Sequence, residues 1–359
     1  MRTDPIDVDD SIPAPAEQPP LTALDEDTIR LALAGGSVVE WSRLNFRSHD
    51  EVNGFLKLWG CDLVEQGWAR ERLRYVYNQA VEYLEEHLQL HFASEVRRPR
   101  DVRDAFLRAS MRDRFSRYRI QYCAILKLVH VINHLEMQEL RHQVAVREHD
   151  LIELANAKVL TAARRMREEG QPVLAFYGNR KTRPSVITKL LAKRESTAAT
   201  VFDKLRFRVV TETRRDLVAT IAWLFRNLLP FPAVIPGESH NNLLSEEELA
   251  AIQGVAAVPG VAATTANPHS NGFRAINFVV GLPVRVYDLP TINPPKNRAL
   301  LGEVVSVLTE FQVVDRATDV ANETGESRHD LYKLRQMQRV YERLGRTMKA
   351  PVDGTEGGG

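Results

Sequence analysis

Cysteine is nearly missing from this 359-residue chain, with only Cys61 and Cys123, far apart in sequence. Two such cysteines exclude a disulfide framework and any paired-cysteine zinc site, and they fit a reducing cytoplasm. Long apolar runs are missing too. No stretch approaches the roughly 18 residues that a membrane span requires. The opening MRTDPIDVDDSIPAPAEQPP is acidic and proline-rich where a secretory signal would be basic and then apolar, so a soluble, unexported protein is expected. A charge excess of one sign is likewise lacking, since 48 Lys and Arg stand against 47 Asp and Glu. Any electrostatic function must therefore be local.

The length favours two units, each large enough to bury an interior. Residues 1–24 and 350–359 hold little to bury and are expected to be disordered. Residues 25–168 read as a helical domain. Apolar residues recur at three- and four-residue steps in VNGFLKLWGCDLV, LRYVYNQAVEYLEEHL and YCAILKLVHVINHLEMQEL, with an interruption at Arg98-Pro99-Arg100. After Gly170-Gln171-Pro172 the texture changes. The β-branched and aromatic runs at 173–177, 201–210, 273–289 and 304–315 read as strands, and 184–194 and 214–229 as amphipathic helices. The fold class is thus α+β, an N-terminal helical bundle followed over residues 169–349 by a mixed β-sheet with flanking helices. The stretch 230–270 reads as a long loop with one short helix, and 329–348 as a basic closing helix.

The second half carries the groups that phosphoryl or pyrophosphoryl transfer needs: cations for a polyphosphate, carboxylates for a metal, and a polar group near the attacking hydroxyl. Lys181, Ser185 and Lys189 are four apart, and a helix entered near Pro184 puts Ser185 and Lys189 on one face close to its N-terminus, where an anion is favoured. Asp203 falls at the start of one strand. Glu310 and Gln312, two apart, share a face of another. If those strands are neighbours the two carboxylates can share an ion; the structural alternative is that Asp203 caps its strand and Glu310 pairs with an arginine of the sheet.

These pieces stand in a recognisable order. Lys181-x-x-x-Ser185-Val-Ile-x-Lys189, Asp203-x-x-x-x-Arg208, Asn271-Gly272-Phe273, Glu310-x-Gln312, and His329 with Tyr332-Lys333 resemble the motifs of the RelA/SpoT alarmone synthetase domain. The resemblance covers roughly the second half of the chain. It implies a nucleotidyltransferase-like sheet and Mg²⁺-dependent transfer of the β,γ-pyrophosphate of ATP to the 3′-hydroxyl of a guanine or adenine nucleotide. Arg180, Lys181, Arg183, Ser185 and Lys189 would hold ATP phosphates, and Arg208 would stack on adenine. Asp203 and Glu310 would bind Mg²⁺, with Glu310 and Gln312 at the reacting hydroxyl. Phe273, Asn277, His329 and Lys333 would meet the acceptor. The chain departs from the family pattern at Arg206, where the family has glycine, at Asn277, where it often has histidine, and at Val314-Asp315, where it has Arg-Thr. A tRNA 3′ end as acceptor, or nucleotide binding without transfer, are the alternative readings, and a homo-oligomer is a further expectation.

Three other features have structural explanations as well as functional ones. His130 and His134, four apart in HVINHLEMQELRH, could hold a metal, but the leucines and valines around them point to a core-facing helix. The His-Asp pairs at 49/50, 149/150 and 329/330 lack the ordering of a metal hydrolase. The nine arginines of 97–119, interleaved with Phe106, Phe115 and Tyr118, could hold RNA, or form a solvated face paired with Asp101, Asp104 and Asp113.

Overall fold

The computed structural model describes residue 29 and residues 46–111, 118–192, 205–235, 238–245, 273–293, 298–324, 337–342 and 344. The helices α1 (His49–Leu58), α2 (Gly67–Leu88), α3 (Ser94–Arg97), α4 (Arg103–Ser110), α5 (Arg119–Gln143) and α6 (Glu148–Glu168) come first. The proline-flanked interruption separates α3 from α4. Strand β1 (Val173–Arg180), α7 (Arg183–Ala192), β2 (Leu205–Thr211) and α8 (Arg214–Asn227) follow. The chain then forms β3 (His240–Asn241), β4 (Ile276–Arg285), α9 (Arg298–Leu301), β5 (Val304–Asp315) and α10 (Arg316–Thr324). The closing segment 337–342 is helical.

The five strands form one mixed sheet in the order β1-β2-β5-β4-β3. β2 and β5 run parallel, while β1 on β2, β4 on β5 and β3 on β4 are antiparallel. The α+β class therefore holds, with helices flanking a mixed sheet. Strands 173–180 and 304–315 match the expected runs closely. β3 and α10 were not foreseen, because β3 is two residues long and α10 is short and buries polar side chains, Thr318 and Asn322.

One face of the sheet is closed by aromatic packing. Phe207, Phe311 and Phe278 stand abreast on β2, β5 and β4, with ring centroids 5.6 and 5.9 Å apart in stacked geometry. Phe176 and Phe225 extend the row from β1 and α8. Alternation along β5 is the cause: Val305, Val307, Phe311 and Val313 turn to this face and are almost wholly buried. One hydrophobic cluster continues from these rings to Tyr77, Leu126, Leu140 and Val159 on the preceding helices. Polar anchors join the same elements, with Lys158 donating to the Pro283 carbonyl at 2.7 Å and Arg72 bonding both Glu136 and the Leu300 carbonyl.

Helix α1 ends where its backbone turns left-handed at Gly60, φ +77°. The amides of Gly60 and Cys61 return to the carbonyls of Lys57 and Leu56 at 2.9 and 3.0 Å, which closes the helix by the double bond typical of a glycine stop. A Cβ on Gly60 would lie 2.6 Å from Cγ2 of Val304 at the start of β5. Gly60→Ala is therefore expected to cost about 1–3 kcal/mol through backbone strain and this clash, read as a lowered urea midpoint.

Candidate functional site on the polar face of the sheet

The opposite face collects polar side chains by the same alternation. Tyr177 and Asn179 of β1, Arg206 and Arg208 of β2, Glu310 and Gln312 of β5, Asn277 of β4 and His240 of β3 share it. Arg206 stands opposite Glu310, Arg208 opposite Gln312, Asn277 opposite Gln312 and His240 opposite Asn277. This row exists because β2 and β5 are adjacent and parallel, which sequence spacing alone leaves open.

Glu310 is the centre of the row and is 7% exposed. Its Oε2 accepts from Nε of Arg206 at 2.9 Å, and its Oε1 from Nε2 of Gln312 at 3.0 Å. The Asn277 amide, turned so that both of its ends are satisfied, also donates to Oε1 at 2.9 Å, and it lies 3.4 Å from Nε2 of His240. A buried carboxylate survives only with such compensation. Among the described residues, Oε1 of Gln312 is buried without a hydrogen-bond partner.

Arg208 is engaged one step along the row. It donates to Asp319 at 3.0 Å and to Glu323 at 2.8 Å, both on α10, and its guanidinium lies 5.7 Å from the Phe273 ring centroid. Burial pushes the Asp319 carboxyl above its ordinary range, and Arg208 opposes that shift. Two residues foreseen as separate base platforms thus face each other.

Helix α10 is placed by Asp315, whose carboxylate accepts from the Thr318 amide at 2.9 Å and its hydroxyl at 2.8 Å. This is an N-terminal cap, and it gives the departure at Asp315 a structural reason. Asn322 of α10 binds the backbone of Arg274 on both sides, at 3.0 and 2.8 Å. The signal for this helix was an aspartate three residues before a threonine, directly after a strand.

The basic segment is less gathered. Arg180 pairs with Glu153 of α6, and strand alternation turns it away from the face that carries Tyr177 and Asn179. Ser185 lies in the first turn of α7, as expected, its hydroxyl 3.1 Å from that of Thr182. Arg183 begins that helix and is exposed; Lys189 is partly buried in its last turn, and Lys181 precedes it. Asp203, His329 and Lys333 lie outside the described residues, as do Asn271, Gly272 and Tyr332. The structure thus brings together Glu310, Gln312, Asn277, Arg208 and Phe273. Arg206, His240, Asp319 and Glu323 join them without having been foreseen as site residues.

The Mg²⁺ implied by the family resemblance would be held by Asp203 and Glu310, and Asp203 lies outside the described residues. A hard cation needs oxygen ligands that are open to it. On Glu310, Oε2 accepts from Arg206 and Oε1 from Gln312 and from the turned Asn277 amide. The neighbouring acids Asp319 and Glu323 are held by Arg208. Among the described residues no cluster of three or more acidic, histidine or cysteine side chains could hold a metal.

Elsewhere, His130 and His134 pack edge-on against Trp59, with centroids 5.7 and 5.4 Å from it and 4.3 Å from each other. Of the arginine-rich stretch, Arg103 pairs with Asp101 and Arg97 with Glu85, while Asp104 pairs with His49; Asp113 lies outside the described residues. No helix among the described residues is long and apolar enough to cross a membrane.

No family model matches the chain, and no curated protein matches it. Among solved structures it is similar to small alarmone synthetase 1 from Bacillus subtilis, with 14% identity, 55% of this chain and 86% of that one covered, and a TM-score of 0.32. The same synthetase bound to its product pppGpp matches at 15% identity, over 58% and 91%, with a TM-score of 0.32. A GTP pyrophosphokinase family protein from Streptococcus pneumoniae matches at 12% identity, over 54% and 83%, with a TM-score of 0.29.

Proposed function

We propose that the polar face of the sheet binds purine nucleotides and that the chain transfers pyrophosphate from ATP to the 3′-hydroxyl of a purine nucleotide. The observation that carries this reading is the row of Arg206, Arg208, Glu310, Gln312 and Asn277 across three neighbouring strands, cations beside one buried carboxylate. In the transfer, a bond forms between the acceptor 3′-oxygen and the β-phosphorus of ATP, and the bond from that phosphorus to the bridging α,β-oxygen breaks. AMP leaves, and the hydroxyl proton passes to Glu310. The buried Gln312 Oε1 suits a hydroxyl or amino donor of the acceptor. Lys181 precedes α7 and Ser185 lies in its first turn, where the start of a helix favours phosphate, while Lys189 lies in its last turn.

Purified protein incubated with γ-labelled ATP, Mg²⁺ and GDP, GTP, AMP, ADP or bulk tRNA should place label on a mononucleotide and release AMP. Glu310→Gln keeps the size of the side chain and removes the proton acceptor, so the transfer rate should fall by about 100-fold or more. Label on tRNA would change the acceptor class, and an unchanged rate in the variant would remove Glu310 from the reaction. A second reading, nucleotide binding without transfer, is favoured by the Arg206 bond to Glu310, which occupies the proposed base. It predicts saturable nucleotide binding with no AMP released by any acceptor.

A further inference from the structure

Strand β3 is only two residues long, yet side chains fasten the chain around it. The buried Asn241 side chain accepts from the amides of Leu243 and Leu244 at 3.1 and 3.0 Å and donates to the Leu244 carbonyl at 2.7 Å. The Asn242 side chain accepts from the Ala275 amide at 2.7 Å and donates to the Phe273 carbonyl at 2.8 Å. Two consecutive asparagines thus clamp β3 to the residues that lead into β4. The residue they hold on the polar face is His240, directly opposite Asn277. That pairing bears on which way the Asn277 amide points. Its nitrogen donates to Oε1 of Glu310 at 2.9 Å and to the Phe311 carbonyl at 3.3 Å, which uses both of its N–H groups. Its oxygen then takes the place 3.4 Å from Nε2 of His240, and an imidazole carrying its proton on Nε2 supplies the donor this oxygen needs.

We infer that His240 is a positioning residue for Glu310 and acts through Asn277: the chain from imidazole to amide to carboxylate holds Glu310 in the direction from which it takes the acceptor proton. The inference rests on the reading of Glu310 as proton acceptor, and it adds the group on the edge strand that sets its aim. Without a donor from His240, the Asn277 oxygen must find one elsewhere. Turning the amide to reach one aims that oxygen at Oε1 of Glu310 and at the Phe311 carbonyl, both of them acceptors, so the bond to Glu310 is lost whenever the amide turns. Oε1 then keeps only the Gln312 donor at 3.0 Å. A carboxylate steadied on that oxygen by one amide in place of two swings more freely about its last bond. Misalignment of a proton acceptor costs rate rather than affinity. Histidine suits the role because a rigid ring on a short stem is fixed as soon as its backbone is, and the two asparagines fix that backbone.

Two measurements on the full chain test this. The first follows AMP release from ATP with the mononucleotide acceptor that takes label. His240→Leu should lower kcat by about five- to tenfold, the size of one lost hydrogen bond, with KM for ATP within about twofold of wild type. His240→Gln, whose amide nitrogen can stand where Nε2 stands, should recover most of that loss. In an Asn277→Leu background, His240→Leu should add less than about twofold, because the residue through which it acts is gone. A fall in both backgrounds alike, a loss confined to KM, or an unchanged kcat in His240→Leu overturns the inference. The second measurement needs no nucleotide: the side-chain amide protons of Asn277 are followed by ¹⁵N–¹H spectroscopy, assigned by their disappearance in Asn277→Leu. Their exchange with solvent should quicken by about tenfold in His240→Leu and stay near wild type in His240→Gln. Unchanged exchange in a folded His240→Leu overturns the inference as well. Should His240→Leu fail to fold, His240→Phe, which keeps a ring without its nitrogens, takes its place. If folded wild type releases no AMP with any acceptor, the transfer reading fails, and the amide exchange alone decides whether His240 holds Asn277.

Discussion

Phe311→Ala should lower unfolding free energy by about 3–5 kcal/mol, seen as a large drop in urea midpoint. Phe311 is fully buried at the middle of the sheet and is flanked by Phe207 and Phe278 in stacked contact. Removing the ring loses its own transfer energy and strips one partner from each of two aromatic pairs, and two rigid strands cannot collapse into the space. An exposed apolar residue gives the contrast. Ile187 on α7 is 48% exposed, and its replacement by alanine should stay within about 0.5 kcal/mol. A Phe311→Ala effect as small as that would mean that the aromatic row does not hold the sheet together. Glu310 and Phe311 are consecutive, and β5 turns them to opposite faces. The same strand thus supplies the proposed proton acceptor on one side and the packing that fixes its position on the other.

Acidification should destabilise the protein through His130. This imidazole is 8% exposed, and burial, with the neighbouring His134 adding to it, pushes its pKa from 6.5 down to about 3. His134 is pushed down by burial too. Below pH 6.5 the unfolded chain takes up a proton at His130 that the folded chain refuses. The unfolded state then binds more protons, so stability is fully present above about pH 6.5 and is lost as the pH falls towards 3. The slope is about 1.4 kcal/mol per pH unit for this one proton, which gives roughly 2 kcal/mol between pH 7 and pH 5. Urea midpoints at those two pH values should separate in wild type, and the gap should narrow in His130→Leu, which keeps an apolar side chain against Trp59. Equal gaps in the two proteins would show that His130 is not the group responsible. The pair 130/134 was open to a metal reading in sequence because two histidines four apart suit a ligand set as well as a core. The structure gives them an aromatic neighbour, Trp59 from the turn after α1, and a residue that distant in the chain leaves no trace in the local pattern.

The legibility of the site follows the same division. Glu310 and Gln312 were readable as a pair because strand period alone puts residues two apart on one face. Asn277 and Phe273 were readable only through motif order. The bond between Arg206 and Glu310 was foreseen only in general form, as an arginine of the sheet, because the partner depends on which strand lies beside β5. Asp319, Asn322 and Glu323 were missed because α10 is only nine residues long and the side it buries is polar, Thr318 and Asn322; its start was coded by Asp315 and Thr318.

By itself the amino-acid order determined what depends on neighbours a few residues apart: the α+β class, most helices and strands, the inward and outward sides of β5, and the absence among its parts of a disulfide framework. The tertiary structure decided what depends on strand adjacency and long-range charge pairing: that β2 lies parallel to β5, that Arg206 closes Glu310, and that Arg208 turns to α10 and Phe273. The physical reason is that side-chain direction has a short period along the chain, whereas the partner of a buried charge is chosen by whichever strand or helix packs against it, over a separation of 104 residues in the case of Arg206 and Glu310.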